Sequence, residues 1–247
     1  LPNANIEYMG LNHFAFITKI EEDGKDYLQE ALEAGLNSES MKNIPASGFT
    51  KEQVATIGAI PTCYLEYYYF QDSKLEHLKN APRTRGETCM AIEEELLEIY
   101  QNSELHVKPE QLSKRGGARY SEVAINLVNS IWNDSGDVQV VNVLNKGAIP
   151  FLKDTDAVEV CAKIGRNGAT PLPVTGVITD HMKEYISQVK AYERHAVKAA
   201  IYGDKEEAMR ALVINPLVGD LKTASACFDE MLEAHKDYLP QFFKEEK

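Results

Sequence analysis

The C-terminal third constrains the fold most, because its helix signals come in an order that leaves the chain little freedom. A helical pattern runs through roughly Met182–Tyr202 and stops at Gly203. Asp204 restarts it as an N-cap, with Glu207 three residues on in the spacing of a capping box. Pro216 ends that second helix. Asp220 then caps a third, which carries Leu221, Ala224, Phe228 and Leu232. A chain that closes in three successive helices must draw any sheet from its earlier residues.

Those residues supply a small one. HFAFITKI (His13–Ile20) has strand composition and is followed by the turn residues of EEDGK. Asp137–Asn145 and Ala157–Gly165 alternate and are β-branched. Helical spacing appears between them: Tyr27, Leu28, Ala31 and Leu32; then Cys89, Ile92, Leu96 and Tyr100 within Thr84–Tyr100; then Ala124, Leu127, Val128 and Ile131 within Ser121–Trp132. In the second of these, Glu93, Glu94 and Glu95 read as a solvated face. No repeat and no long Gly/Ser/Pro linker interrupts the pattern. The expectation is one domain over residues 1–247, of the α+β class, mostly helical with a small sheet.

The formal net charge of −12 argues against general nucleic-acid binding and against docking on an anionic membrane face. No apolar run reaches the roughly 20 residues of a membrane span. Leu1–Glu7 lacks the basic region and apolar core of a signal peptide. Cys63, Cys89, Cys161 and Cys227 are scattered without metal-binding spacing, and read as buried free thiols in a reducing cytoplasm. Neither GxGxxG nor GxxxxGK[ST] occurs.

Four stretches could carry chemistry. GLNHF places His13 inside an otherwise apolar strand, as a core histidine or as part of a metal site. IPTCYLEYYYF is dense in tyrosine, which suits amphipathic packing as well as catalysis. PRTRGE sets Arg83 and Arg85 before an acidic helix with which they could pair. SKRGGARYSE groups Lys114, Arg115 and Arg119 around a diglycine ahead of a helix start. Free N–H groups, glycines and cations together make that last stretch the best place for a phosphate or carboxylate in so acidic a chain. The diglycine also reads as a plain turn.

Taken in order, GLNHF, PTCYLEYYYF, TRGETCMAIEEELLE, LSKRGGARYSEVAINLVNSI, VVNVLNKGAI, AVEVCAKIGRNGATPL and DEMLEAHKDYLPQF resemble glycoside hydrolase family 4, most closely its 6-phospho-β-glucosidases. The resemblance spans nearly the whole chain but only the second part of the family's polypeptide. It implies the C-terminal domain of the lactate dehydrogenase/family 4 glycosidase type, with the NAD-binding Rossmann domain lying upstream. It also implies a missing Cys-Asn-x-Pro segment that bears the other protein metal ligand. By resemblance, His13 matches the histidine ligand to manganese, Tyr64 the catalytic base, and Arg85 a substrate-contacting arginine. Asn12, Arg115 and Tyr120 are placed at the substrate, and Cys161 in the core.

The implied chemistry is hydrolysis of 6-phospho-β-glucosides by oxidation and elimination, using NAD and Mn²⁺ or another divalent metal. The implied partners are a phosphorylated disaccharide, the missing NAD domain and further copies of the chain in a homo-oligomer. Two other readings stand beside it: a non-catalytic binding or oligomerisation module, and a complete α-helical enzyme of another class.

Overall fold

A computed structural model describes residues 1, 3–34, 48–115 and 120–243. β1 (Asn5–Leu11) and β2 (Phe14–Glu22) pair antiparallel, with Leu11 opposite Phe14, so that Asn12 and His13 alone form the turn. β3 (Lys25–Asp26) and β4 (Ile60–Pro61) both pair with β2. β5 (Val138–Leu144), β6 (Ala157–Gly165) and β7 (Gly168–Pro171) complete a seven-stranded sheet in the order β3-β2-β1-β6-β5, with β4 on β2 and β7 on β6. Every pairing is antiparallel.

One face of this sheet makes the core. Met9 sits opposite Phe16 on β2 and Val160 on β6, which aligns their side chains on one side of the pleat. With Leu11, Phe14 and Val158 they pack against Met182, Ile186 and Val189 of α8 (Asp180–Tyr202). Burying each such side chain contributes roughly 1.5–3 kcal/mol. Glu7 ties a loop to the same face. Its carboxylate accepts from Thr18 Oγ1 at 2.6 Å, from the backbone N–H groups of Thr175 and Gly176 at 2.8 Å, and from Thr175 Oγ1 at 2.9 Å.

The C-terminal helices begin and end close to where the sequence signals lie. α8 starts two residues earlier than its apolar pattern, because Thr179 caps it by accepting from the Met182 N–H. It ends at Gly203, whose φ of 69° suits glycine. α9 (Lys205–Ile214) is capped by Asp204, and α10 (Leu221–Ala234) by Asp220. The Glu207 side chain does not close a capping box; it pairs with His195 of α8 at 2.5 Å and with Arg210.

Helices of the first half link strand to strand: α1 (Leu28–Ala34), α2 (Lys51–Ile57), a 3-10 turn (Cys63–Leu65), α3 (Glu66–Tyr69), α4 (Gln71–Asn80), α5 (Arg85–Ile99), α6 (Glu110–Arg115) and α7 (Tyr120–Asn133). The chain is α+β, mostly helical with a small antiparallel sheet.

Four expectations need correction. His13 does not open the strand that follows it; it occupies the hairpin turn. Tyr100 does not join Ile92 and Leu96 inside α5; it is exposed at that helix's end. Within α7, Val128 and Ile131 are exposed, Leu127 is half-buried and Ser130 is the buried residue. All four cysteines are free, but of the four expected to be buried only Cys161 is: Cys63 and Cys89 are half-buried and Cys227 is exposed. Among the described residues no helix is long and apolar enough to cross a membrane.

Candidate functional site: a clamped hairpin tip beside a tyrosine

GLNHF folds as the end of β1, a two-residue turn and the start of β2. Its glycine is needed for close approach: a Cβ on Gly10 would lie 2.2 Å from the Phe14 carbonyl oxygen. His13 adopts φ 66°, in the left-handed region, at a cost of about 1–2 kcal/mol for a residue with a Cβ. Two tertiary hydrogen bonds hold it there. The His13 backbone N–H donates to Glu159 Oε2 at 2.8 Å, and Thr62 Oγ1 donates to the His13 carbonyl at 2.6 Å.

Thr62 also begins the turn that presents Tyr64. Its N–H donates to the Ala15 carbonyl, which continues the β2–β4 pairing past Pro61. The chain then winds into the 3-10 turn at Cys63–Leu65. The outcome is a stacked pair: the His13 and Tyr64 rings lie 4.7 Å apart at an interplanar angle of 20°. Both residues are exposed, Tyr64 by 44%. Among the described residues the His13 ring nitrogens take no hydrogen-bond partner. Burial raises the Tyr64 phenol above its ordinary pKa near 10, and Cys63, Tyr120 and Tyr67 add to the effect. The phenol is therefore neutral at physiological pH.

The tyrosine cluster divides between its two readings. Tyr68 packs edge-on against Phe14 at 4.6 Å, and Tyr69 bonds His181 Nε2 at 2.8 Å, so these two belong to the packing around α8. Tyr64 and Tyr67 face outward. Asn12 is exposed beside His13 at the hairpin tip. Tyr120 opens α7, exposed and near enough to Tyr64 to raise its pKa.

Arg85 forms a second group. Its guanidinium donates to the carbonyls of Lys114 at 3.2 Å and Arg115 at 2.8 Å, capping the C-terminal end of α6. It does not pair with the acids of its own helix, where Thr84 and Glu87 form a reciprocal capping box. Arg85 and Arg115 are thus brought to each other. Among the described residues no hydrogen bond or ion pair joins either to His13 or Tyr64. The diglycine and Arg119 lie outside the described residues.

Glu159, whose Oε2 also accepts from the Tyr8 hydroxyl at 3.1 Å, and Thr62 were not anticipated at this site. Glu159 left one trace in the sequence, an acid between Val158 and Val160 in a mostly apolar strand. Among the described residues no three His, Cys, Asp or Glu side chains converge to hold a metal ion. The exposed imidazole of His13, without a hydrogen-bond partner among the described residues, leaves a ring nitrogen available to a ligand such as a metal ion.

Residues 8–218 match the Family 4 glycosyl hydrolase C-terminal domain. The chain is 40% identical to a probable 6-phospho-beta-glucosidase of Bacillus subtilis (strain 168), over 98% of this chain and 56% of that protein. It is 34% identical to a 6-phospho-beta-glucosidase of Escherichia coli (strain K12), over 96% of this chain and 54% of that protein. It superposes with a TM-score of 0.82 and 29% identity on the 6-phospho-beta glucosidase from Thermotoga maritima, solved with manganese, NAD+ and glucose-6-phosphate, covering 96% of this chain and 55% of that one. The chain spans about half the length of the curated relatives it matches.

Proposed function

Because this chain belongs to the family 4 glycosyl hydrolases, whose C-terminal domain it carries, we propose that it is the substrate- and metal-binding half of a 6-phospho-β-glucosidase. The upstream NAD-binding domain would complete the cleft, with the whole of residues 1–247 serving as the C-terminal catalytic domain. The observation that carries the reading is the stacked His13–Tyr64 pair on a clamped hairpin tip.

When bound, NAD would accept and later return a hydride at C3 of the sugar, acidifying the C2 proton, and a divalent ion such as Mn²⁺ would stabilise negative charge on the oxygens around it. Tyr64 Oη takes the C2 proton, and the electron pair left behind expels the substituent at C1, which departs as an alcohol with a proton from solvent. Water then adds its oxygen to C1 while Tyr64 returns the proton to C2, before C3 is reduced back to the alcohol. A neutral phenol is a weak base, so Tyr64 needs a cation close by to act at neutral pH. His13, in ring contact with that phenol, is the group of this chain suited to hold such a cation. Arg115 and Arg85 suit the 6-phosphate, since a guanidinium can bond two phosphate oxygens at once. Arg85 spends one nitrogen on the end of α6 and keeps further donors. Asn12 and Tyr120 are exposed where sugar hydroxyls would lie beside Tyr64. The same reading places the enzyme in the cytoplasm, where its four free thiols would persist.

A second reading, a binding or oligomerisation module, is favoured by one observation. Val123, Val128 and Trp132 of α7, with Val138, Val140 and Leu144 of β5, are exposed and apolar. The two readings separate in one assay: hydrolysis of a 6-phospho-β-glucoside with NAD and Mn²⁺, by this chain alone and then mixed with an N-terminal half of a relative. Activity on mixing only is the expected result. Binding of the two halves with no turnover would favour the module.

A further inference from the structure

Glu159 is no part of the chemistry proposed above, yet one of its two hydrogen bonds leads to it. One oxygen, Oε2, accepts from the His13 backbone N–H at 2.8 Å and from the Tyr8 hydroxyl at 3.1 Å. The residue is 8% exposed, a degree of burial a carboxylate tolerates only when hydrogen-bonded. The partner it holds is the least relaxed residue of the tip. His13 has φ 66°, a conformation that residues with a Cβ keep only where their surroundings impose it. The direction of the Cα–Cβ bond follows the backbone. Releasing the N–H would let the turn relax and would swing the imidazole off the Tyr64 ring.

We infer that Glu159 is a positioning residue: by holding the His13 N–H it sets the left-handed turn, and with it the face-to-face placement of imidazole on phenol. The inference deepens the proposed function and rests on it for its catalytic consequence, but its structural half stands alone. Both donors converge on a single acceptor oxygen, so reach matters more than charge. Glutamine offers an oxygen at the same distance from the strand. Aspartate is one methylene shorter and cannot serve both donors.

The ring protons of His13 in this chain report the stacking directly, and His13→Ala assigns them. In the native chain and in Glu159→Gln they are expected at the same ring-current-shifted positions. In Glu159→Asp they should move toward those of an unstacked imidazole, as they do in Tyr64→Leu, while the remaining sheet signals stay in place. Unmoved His13 signals in folded Glu159→Asp, or equal displacement in Glu159→Gln, would overturn the inference. Amide exchange at His13 in the native chain needs no variant. Protection is expected there, and free exchange would overturn the inference even if Glu159→Asp does not fold. In the completed enzyme, Glu159→Asp should raise the Mn²⁺ concentration for half-maximal activation about tenfold, with Glu159→Gln close to native. A displaced ring with an unchanged Mn²⁺ requirement leaves the positioning role in place and overturns the metal role of His13 instead.

Discussion

The hydroxyl of Tyr64 is the only part of that side chain which the proposed chemistry needs. Tyr64→Phe keeps the ring against His13 and removes the base. In the completed enzyme kcat should fall about 10²–10⁴-fold, while NAD titration by fluorescence stays unchanged. Near-normal turnover would remove Tyr64 from that role. His13→Ala should flatten the dependence of rate on Mn²⁺, and an activation curve identical to the native one would rule out its role as ligand. Both residues were legible in the sequence because they lie in motifs with a resemblance to carry. The setting of His13 was not. Asn-His lacks the glycine that usually marks a two-residue hairpin turn, so the histidine reads as the first residue of β2. Glu159 and Thr62 were hidden for another reason: they stand 146 and 49 residues from the histidine they hold, and no local pattern spans such distances.

Helix punctuation was the most readable part of the chain. Gly203, Asp204 and Asp220 do in the structure what their residue types suggest, because a cap is a contact within one turn of chain. Gly203 has a further duty that only the fold reveals. A Cβ there would lie 1.9 Å from the Gln241 carbonyl oxygen, where the chain folds back onto α8. Gly203→Ala should therefore cost more than the roughly 1 kcal/mol of an ordinary left-handed cap, read as a lowered urea midpoint. An unchanged midpoint would mean that the C-terminal turn does not rest on α8. Thr84→Ala, which breaks the box at the start of α5, should cost about 1 kcal/mol by the same measurement. The short elements α2, α4 and α6 escaped sequence reading because they have few buried residues or none. A helix that buries little shows little period. In α7 the period is present and marks a helix, although most of its apolar stripe is exposed.

At the scale of the whole molecule, sheet and loop are joined through Glu7, whose hydrogen bonds from Thr18, Thr175 and Gly176 outweigh burial and lower its pKa below the ordinary 4.5. A depressed carboxylate stabilises the fold above its unfolded pKa, and that contribution is lost as pH falls through the folded value. Urea midpoints measured from about pH 7 to about pH 3 should drop below about pH 4.5. Glu7→Gln should start lower at neutral pH and lose less on acidification; parallel curves would contradict this. The apolar surface of α7 and β5 predicts self-association of this chain, visible as concentration-dependent sedimentation that Trp132→Lys with Val140→Lys weakens. The hairpin tip has one more consequence. Its imidazole is held from β6 and its phenol from the segment after β4, on a sheet that α8 seals. The smallest transplantable piece that could carry this pair to another scaffold therefore runs from the first strand through α8, and α9 and α10 are the parts a graft could leave behind.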